Sequence, residues 1–139
     1  MKQVNSWLSN ADKAIQQHII EKPGKINSLY KGYVSSLGAM IIQNGLSAAL
    51  AINMKSDDKL RNKMVESIAF ILKSSGKITY SSKGNYTGQT LLNESCTADK
   101  DNDIRKLRLL KNDVLDAATA LKLMMRTYEF VEIKNENHG

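Results

Sequence analysis

The feature that most constrains this chain is the spacing of its apolar residues, which recur every three or four positions along most of the sequence. This spacing is that of an α-helix with one buried face, and it differs from the strict alternation of a half-buried strand. Only one proline and eight glycines occur among 139 residues, so few positions interrupt helix formation. The sequence therefore predicts an all-α fold.

Turn and capping residues divide the pattern into a bundle of about five or six helices. Pro23-Gly24 ends the first helix at about Lys22, because proline disfavours helical geometry in the residue before it. Asn44-Gly45 is typical of a helix end or kink, and Asp58 belongs to a run that can cap the next helix. The apolar stripes run over residues 4–19, 26–41, 46–54, 60–72 and 107–128, and the last helix is expected to continue to about Ile133.

Residues 77–103 do not follow this pattern, because Ser, Thr, Asn and Gly dominate them. Ile78 and Tyr80 alternate as in a short strand, which favours a small hairpin over residues 81–86. We therefore expect a long polar loop or small hairpin before the last helix. The length suits one core, and no repeat or linker is visible. The prediction is a single helical domain over residues 1–134, with a flexible tail over 135–139.

The sequence also predicts a cytoplasmic protein without a membrane span. Cys96 is the only cysteine, so an internal disulfide is excluded and a reducing compartment is favoured. Residues 1–13 are polar and lack the apolar core of a signal peptide. The longest strictly apolar runs contain only a few residues, too few to cross a bilayer.

The usual catalytic residue sets are not recognisable in this sequence. His18 lies on an apolar stripe, where a core or boundary position is the simpler interpretation. His138 lies in the polar tail, and Cys96 has no sequence neighbour that would activate its thiol. One cysteine and two distant histidines cannot complete a tetrahedral zinc site. We expect no enzyme activity, no cofactor, no metal and no small-molecule substrate.

Three alternating aspartates resemble the start of a calcium-binding loop, but the likeness does not continue. Ile104 occupies the position that requires glycine, and Leu110 the position that requires a bidentate glutamate. Carboxylates are also favoured just before a helix, where they cap its free amide groups. The aspartates Asp99, Asp101 and Asp103 are therefore interpreted as an acidic lead-in to the last helix.

The chain is basic, with a formal charge of +6 and a pI near 9.4, which fits contact with a polyanion. At about 100° per residue, five cations of the last helix share one flank of its apolar arc. Segregated charge of this kind can follow a phosphate backbone or face an acidic protein, although an ordinary solvated face gives a similar pattern. The candidate nucleic-acid-binding residues are Lys31, beside Tyr30 on the second helix, and Arg105, Arg108, Lys111, Lys122 and Arg126.

Most aromatic residues lie at positions compatible with the core, including Tyr30, Tyr33, Phe70 and Tyr128. Recognition of single-stranded bases by stacking is therefore not expected. Contact with a nucleic-acid backbone, independent of base sequence, suits the composition better.

Residues 37–46, Leu-Gly-Ala-Met-Ile-Ile-Gln-Asn-Gly-Leu, and the following Leu50-Ala51 carry a family resemblance. They resemble the small subunit of type III-B (Cmr) CRISPR–Cas effector complexes. Tyr30 stands at the place of a tyrosine in that pattern, and Asp116-Ala117 with residues 121–126 is similar to its C-terminal helix. The chain departs from the family pattern at two positions, since Gly38 stands where the family usually has proline and Leu123 where it often has tryptophan.

The resemblance implies an all-helical, non-catalytic subunit of a ribonucleoprotein complex. In this family, copies stack into a minor filament beside the subunits that hold the guide RNA, and other subunits cleave the target. The implied partners are other Cmr-complex subunits, further copies of this chain, guide RNA and target RNA. Base pairing would then read the target while the protein contacts the backbone. The alternative is a protein–protein scaffold whose basic flank faces an acidic neighbour and never touches RNA.

Overall fold

A computed structural model of the protein describes residues 2–55, 57–77 and 86–132. These residues form seven α-helices, one π-helical turn and one two-stranded parallel sheet, which confirms the predicted all-α class. Within the described ranges, no helix is long and apolar enough to cross a membrane. The helices are α1 (Lys2–Ser6), α2 (Leu8–Ala14), α3 (Leu29–Asn44), α4 (Leu46–Lys55), α5 (Lys59–Ser74), α6 (Gly88–Lys100) and α7 (Ile104–Met125), and the strands are β1 (Lys25–Asn27) and β2 (Glu129–Val131).

Two long helices, α5 and α7, form the centre of the bundle. Both contact α2, α3 and α6 and each other, and α5 also contacts α4. The apolar stripes predicted from the sequence face this centre, where Leu37, Ile68 and Leu121 are fully buried. Burial of these stripes is the main favourable term for folding, because each large side chain contributes about 1.5–3 kcal/mol.

The junction between α3 and α4 confirms the interpretation of Asn44-Gly45 as a helix end. Gly45 has a φ of 90°, and its amide donates a hydrogen bond to the Ile41 carbonyl. A side chain is strained at this φ, whereas glycine adopts it readily. The next helix starts at once, and Leu46 returns the chain to the core.

The two aspartate caps predicted from the sequence are also present. Asp58 accepts a hydrogen bond from the Leu60 amide at the start of α5, and Asp103 accepts one from the Lys106 amide at the start of α7. Each carboxylate satisfies an amide that has no partner within its helix. Of the three aspartates interpreted as a lead-in to the last helix, only Asp103 caps α7, because Asp99 lies within α6 and Asp101 at its C-terminal end.

The first predicted helix is divided into three pieces. A turn at Trp7 separates α1 from α2, and a π-helical turn over Ile15–Ile19 follows α2. The helical hydrogen bonding ends there rather than at Lys22, because Ile20 has extended backbone geometry. A stripe of helical period does not reveal such breaks, since the apolar residues on both sides of Trp7 still face one core.

The prediction of a polar loop or hairpin over residues 77–103 is wrong for its second half, which is helix α6. Thr87 and Thr90 form a reciprocal capping box at its start, and Leu91 and Ala98 are buried. Ser95 is also fully buried, so a polar sequence here has an inward face that its composition conceals. The hairpin proposed for residues 81–86 lies, up to residue 85, outside the described residues, as does the tail over 135–139.

The last helix is shorter than predicted, because α7 ends at Met125 rather than near Ile133, itself outside the described residues. Beyond the helix end, β2 pairs in parallel with β1, with Phe130 opposite Ile26. This pairing gives the backbone amides partners about a hundred residues away, which the local sequence does not indicate. It also corrects the prediction that Ile26 begins a helix.

Substitution of Gly88 by alanine is expected to lower the free energy of unfolding by about 1–3 kcal/mol, because the added methyl group overpacks the site. Its Cβ would lie 2.8 Å from Glu66 Oε1 and 2.9 Å from Val65 Cγ1. Gly32→Ala is the matched control, since its Cβ would meet nothing within 4 Å and should stabilise α3 by up to about 1 kcal/mol. Urea denaturation followed by circular dichroism measures both changes. An unchanged free energy of unfolding in Gly88→Ala would contradict the expected overpacking and show that α6 can shift to accommodate the methyl group.

Candidate nucleic-acid interface

The five candidate cations of the last helix remain on its solvent side or at its edge. Arg105, Arg108 and Arg126 are exposed, and Lys111 and Lys122 are half-buried. Their positions lie within about 120° of one another around the helix axis, as the period of the helix dictates. None of these side chains is enclosed in the core, so their charges remain available to a partner.

The structure brings three of the six candidate residues to one groove. The end of α7, one face of α3 and strand β2 form its walls, and it encloses about 300 Å³. Lys31, which the sequence predicted to be an exposed residue beside Tyr30, belongs to α3 and lies across the groove from the α7 residues. The lining residues are Lys31, Ser35, Lys122, Met125, Arg126 and Phe130.

Two contacts orient the lysines of this groove. Lys122 Nζ donates a hydrogen bond of 3.0 Å to Ser35 Oγ, which holds the ammonium group beside α3. Lys31 Nζ lies 4.2 Å from the centroid of the Phe130 ring, a cation–π contact. Met125 is fully buried beneath them, so the groove has an apolar floor under a cationic rim.

Among the residues that the structure describes, no carboxylate forms an ion pair with the cations of the groove. In the portion of the chain that the structure describes, Lys31, Lys122 and Arg126 take part in no ion pair. The ion pairs found there join Arg61 to Asp58 and Lys106 to Glu94, on other faces of the molecule. An uncompensated cluster of this kind attracts anions at short range and is screened by salt.

The other three candidates lie further along the same helix and do not line the groove. Arg108 precedes Arg126 by five helical turns, which is about 27 Å. A helical nucleic-acid strand advances by about 3.4 Å per nucleotide, so this distance corresponds to about eight nucleotides. Arg105, Arg108 and Lys111 therefore form a second, separate part of the same cationic side.

Sequence reasoning missed Ser35 and Phe130 as members of this site. Ser35 carries no charge and only its distance to Lys122 gives it a role. Phe130 lies in a stretch predicted to be helix, and the strand that positions it depends on β1. The adjacent β-favouring residues Phe130 and Val131 were the one local signal that could have indicated β2.

A second groove, of about 320 Å³, includes His18, Glu66 and Phe70 among its lining residues but has a structural explanation. The His18 ring packs edge-to-face on Phe70 at 6.0 Å, and burial lowers the pKa of His18. Glu66 is already engaged, since its Oε1 accepts a hydrogen bond from the Gly88 amide. Within the described ranges, no group of three or more His, Cys, Asp or Glu residues is placed to hold a metal ion.

The tyrosine of the family pattern, Tyr30, is a core residue. Its side chain is fully buried at the start of α3, and burial raises the pKa of its hydroxyl group. The buried Tyr30 side chain therefore anchors the start of α3, which forms one wall of the groove. Of these two neighbours, Tyr30 faces the core and Lys31 faces the solvent.

Comparison with known proteins gives one family. A family model described as CRISPR-associated protein (Cas_Cmr5) matches residues 2–128, nearly the whole described chain. No curated protein and no solved structure matches the chain significantly. The match confirms the family resemblance carried by residues 37–46. It also covers residues 77–103, a segment in which the sequence pattern showed no resemblance to the family. The chain therefore belongs to the Cas_Cmr5 family of CRISPR-associated proteins, the small subunits of the Cmr type.

Proposed function

We propose that this chain is a non-catalytic small subunit of a type III-B CRISPR–Cas effector ribonucleoprotein, acting in antiviral defence in the cytoplasm. In this proposal, copies stack into the minor filament beside the subunits that hold the guide RNA. The cationic side of α7 then lies along the guide–target duplex or the strand leading into it. Family membership supports the assignment to a Cmr-type complex.

The RNA-contact part is supported by a cluster of cations at the groove that form no ion pair with any carboxylate in the described ranges. Lys31 and Lys122 are about ninety positions apart in the sequence, yet both line one cavity with Arg126. Cations without a carboxylate partner are suited to neutralise phosphates, because each contact releases condensed counterions. Such contacts position the protein on the nucleic acid without reading its sequence.

The mechanism proposed here divides the work between RNA and protein. Guide–target base pairing selects the target, and the small subunit stabilises the path of the paired strands through their phosphates. Arg105, Arg108 and Lys111 would contact phosphates about eight nucleotides away from those at the groove. Other subunits would supply the chemistry of cleavage.

The test is a salt titration of RNA binding by the full chain and by a triple variant, Lys31→Gln with Lys122→Gln and Arg126→Gln. Each phosphate contact contributes about 0.7–0.9 to the slope of log affinity against log salt, so the triple variant should lose about two to three units. A matched control removes three exposed charges elsewhere, Lys55→Gln with Lys59→Gln and Lys100→Gln. Equal slopes for the wild-type chain and the groove variant would contradict phosphate contact at this site.

The second candidate is a protein–protein scaffold whose basic side docks on an acidic subunit. It is favoured by large apolar side chains left in solvent on adjacent helices, with Ile42 70% and Ile52 50% exposed. Exposed apolar residues can mark protein contacts when they are contiguous. Ultraviolet crosslinking in the assembled complex separates the two candidates, because RNA adducts on α7 are expected only if the cations meet RNA.

A further inference from the structure

The groove has one property that phosphate contact alone does not require, an aromatic ring facing its cations. Phe130 packs against the core, and the face that meets the groove is covered by the Lys31 ammonium group. Strand pairing holds the ring in place, since Phe130 lies opposite the fully buried Ile26. Proteins that hold single-stranded nucleic acid combine these parts, a ring for a base and cations for the adjoining phosphates.

The cover on the ring is exchangeable. Lys31 is exposed, and a cation–π contact made by a solvent-exposed lysine favours that position by only about twofold to fivefold. A nucleobase stacked on an aromatic side chain gains about fivefold to a hundredfold in binding. A base can therefore replace the ammonium group, which then becomes free to contact a phosphate.

The other two cations of the groove, Lys122 and Arg126, lie together on its α7 side. Lys122 is held at the wall by Ser35, and Arg126 follows it by one helical turn on α7. The volume of about 300 Å³ is at the lower limit of small-ligand sites, which suits one nucleotide rather than a longer segment.

We propose that this groove holds one unpaired nucleotide of an RNA strand, with its base on the Phe130 ring and its phosphate between Lys122 and Arg126. The base must be unpaired, because both faces of a base within a duplex are already stacked on its neighbours. The inference rests on the proposed function and goes beyond it, since backbone contact alone requires neither an aromatic ring nor an unpaired base. It departs from the sequence-based expectation that no base is recognised by stacking, because the strand pairing brings Phe130 to the groove.

Fluorescence anisotropy of the full chain at low salt tests this inference with two single-stranded RNA probes of equal length. One is a uridine homopolymer, whose bases stack weakly on each other and are free, and the other is its abasic counterpart with the same phosphates. The wild-type chain should bind the intact strand about tenfold more tightly than the abasic strand. Phe130→Leu should remove this preference, so that the two strands bind with equal affinity, and Phe130→Tyr should restore it.

The outcomes distinguish the inference from the proposed function. If Lys122→Gln with Arg126→Gln weakens binding of both strands but no base preference exists, the nucleotide site is wrong and phosphate contact stands. If neither these variants nor Phe130→Leu changes binding of either strand, both ideas are wrong and an acidic protein segment becomes the better occupant. Melting temperatures of each variant show whether its fold is intact, and the Phe130→Tyr variant keeps the test decisive if leucine loosens β2.

Discussion

Replacing Leu121 by alanine is expected to lower the free energy of unfolding by about 2–5 kcal/mol, the range for a large aliphatic side chain removed from a packed core. Leu121 is fully buried near the middle of the molecule, on a helix that contacts α1, α2, α3, α5 and α6. The neighbouring helices cannot close the cavity without losing other contacts, so the cost is more than the transfer of the lost methyl groups.

The same helix supplies a matched control. Leu109→Ala removes the same atoms from a side chain that is 56% exposed, and it should change stability by no more than about 0.5 kcal/mol. Urea denaturation gives both values if the slopes of the two transitions agree. Similar losses at Leu121 and Leu109 would contradict the packing of α7 described above. Because Met125 lies one turn after Leu121 beneath the groove, RNA binding by Leu121→Ala should be compared at a temperature where the fold is intact.

Replacing Asp58 by alanine is expected to cost about 2–3 kcal/mol, more than the loss of a helix cap alone. Its carboxylate caps α5 through the Leu60 amide and accepts a hydrogen bond from the Tyr33 hydroxyl of α3. It also lies 3.8 Å from Arg61 Nε, whose guanidinium group stacks over the Tyr33 ring. Removing Asp58 therefore removes a hydrogen bond between two helices as well as uncapping one.

Asp103→Ala is the control, because Asp103 caps α7 while exposed to solvent and should cost about 1 kcal/mol. A second measurement identifies the cause. The hydrogen bond to Asp58 raises the pKa of Tyr33, with burial as a smaller contribution. Spectrophotometric titration of the tyrosines should therefore show this pKa falling toward its usual range in Asp58→Ala. An unchanged tyrosine titration, or equal losses for the two aspartates, would show that Asp58 acts as a cap only.

The segment 77–103 shows how far composition can mislead. Its serines, threonines and asparagines suggested a loop, yet α6 buries Ser95 and Glu94 as well as Leu91. Glu94 is tolerated there because Tyr86 donates a hydrogen bond to it and Lys106 lies 3.7 Å away, while burial raises its pKa. Tyr86 and Lys106 both lie outside α6. The spacing of apolar residues in α6 therefore does not reveal that polar residues such as Glu94 also belong to its buried face.

The candidate site, too, could be predicted from the sequence only in part. The period of α7 was enough to place Lys122 and Arg126 on one side of the last helix, because the angle between them follows from 100° per residue. It could not show that Lys31 lies across from them, or that Phe130 would leave the predicted helix for a strand. The first fact depends on the packing of α3 against α7, and the second depends on the pairing of β1 with β2, which joins residues about a hundred positions apart.

By itself, the sequence determined the helical class, the junction at Gly45, the caps at Asp58 and Asp103 and the cationic side of the last helix. Each of these features depends on residues within one or two helical turns of each other. Their interactions can form independently of the rest of the chain. Only the tertiary structure decided that α6 is a helix, that α7 ends at Met125 and that three cations meet an aromatic ring in one groove. These features depend on contacts between distant segments, and they exist only once the core has brought those segments together.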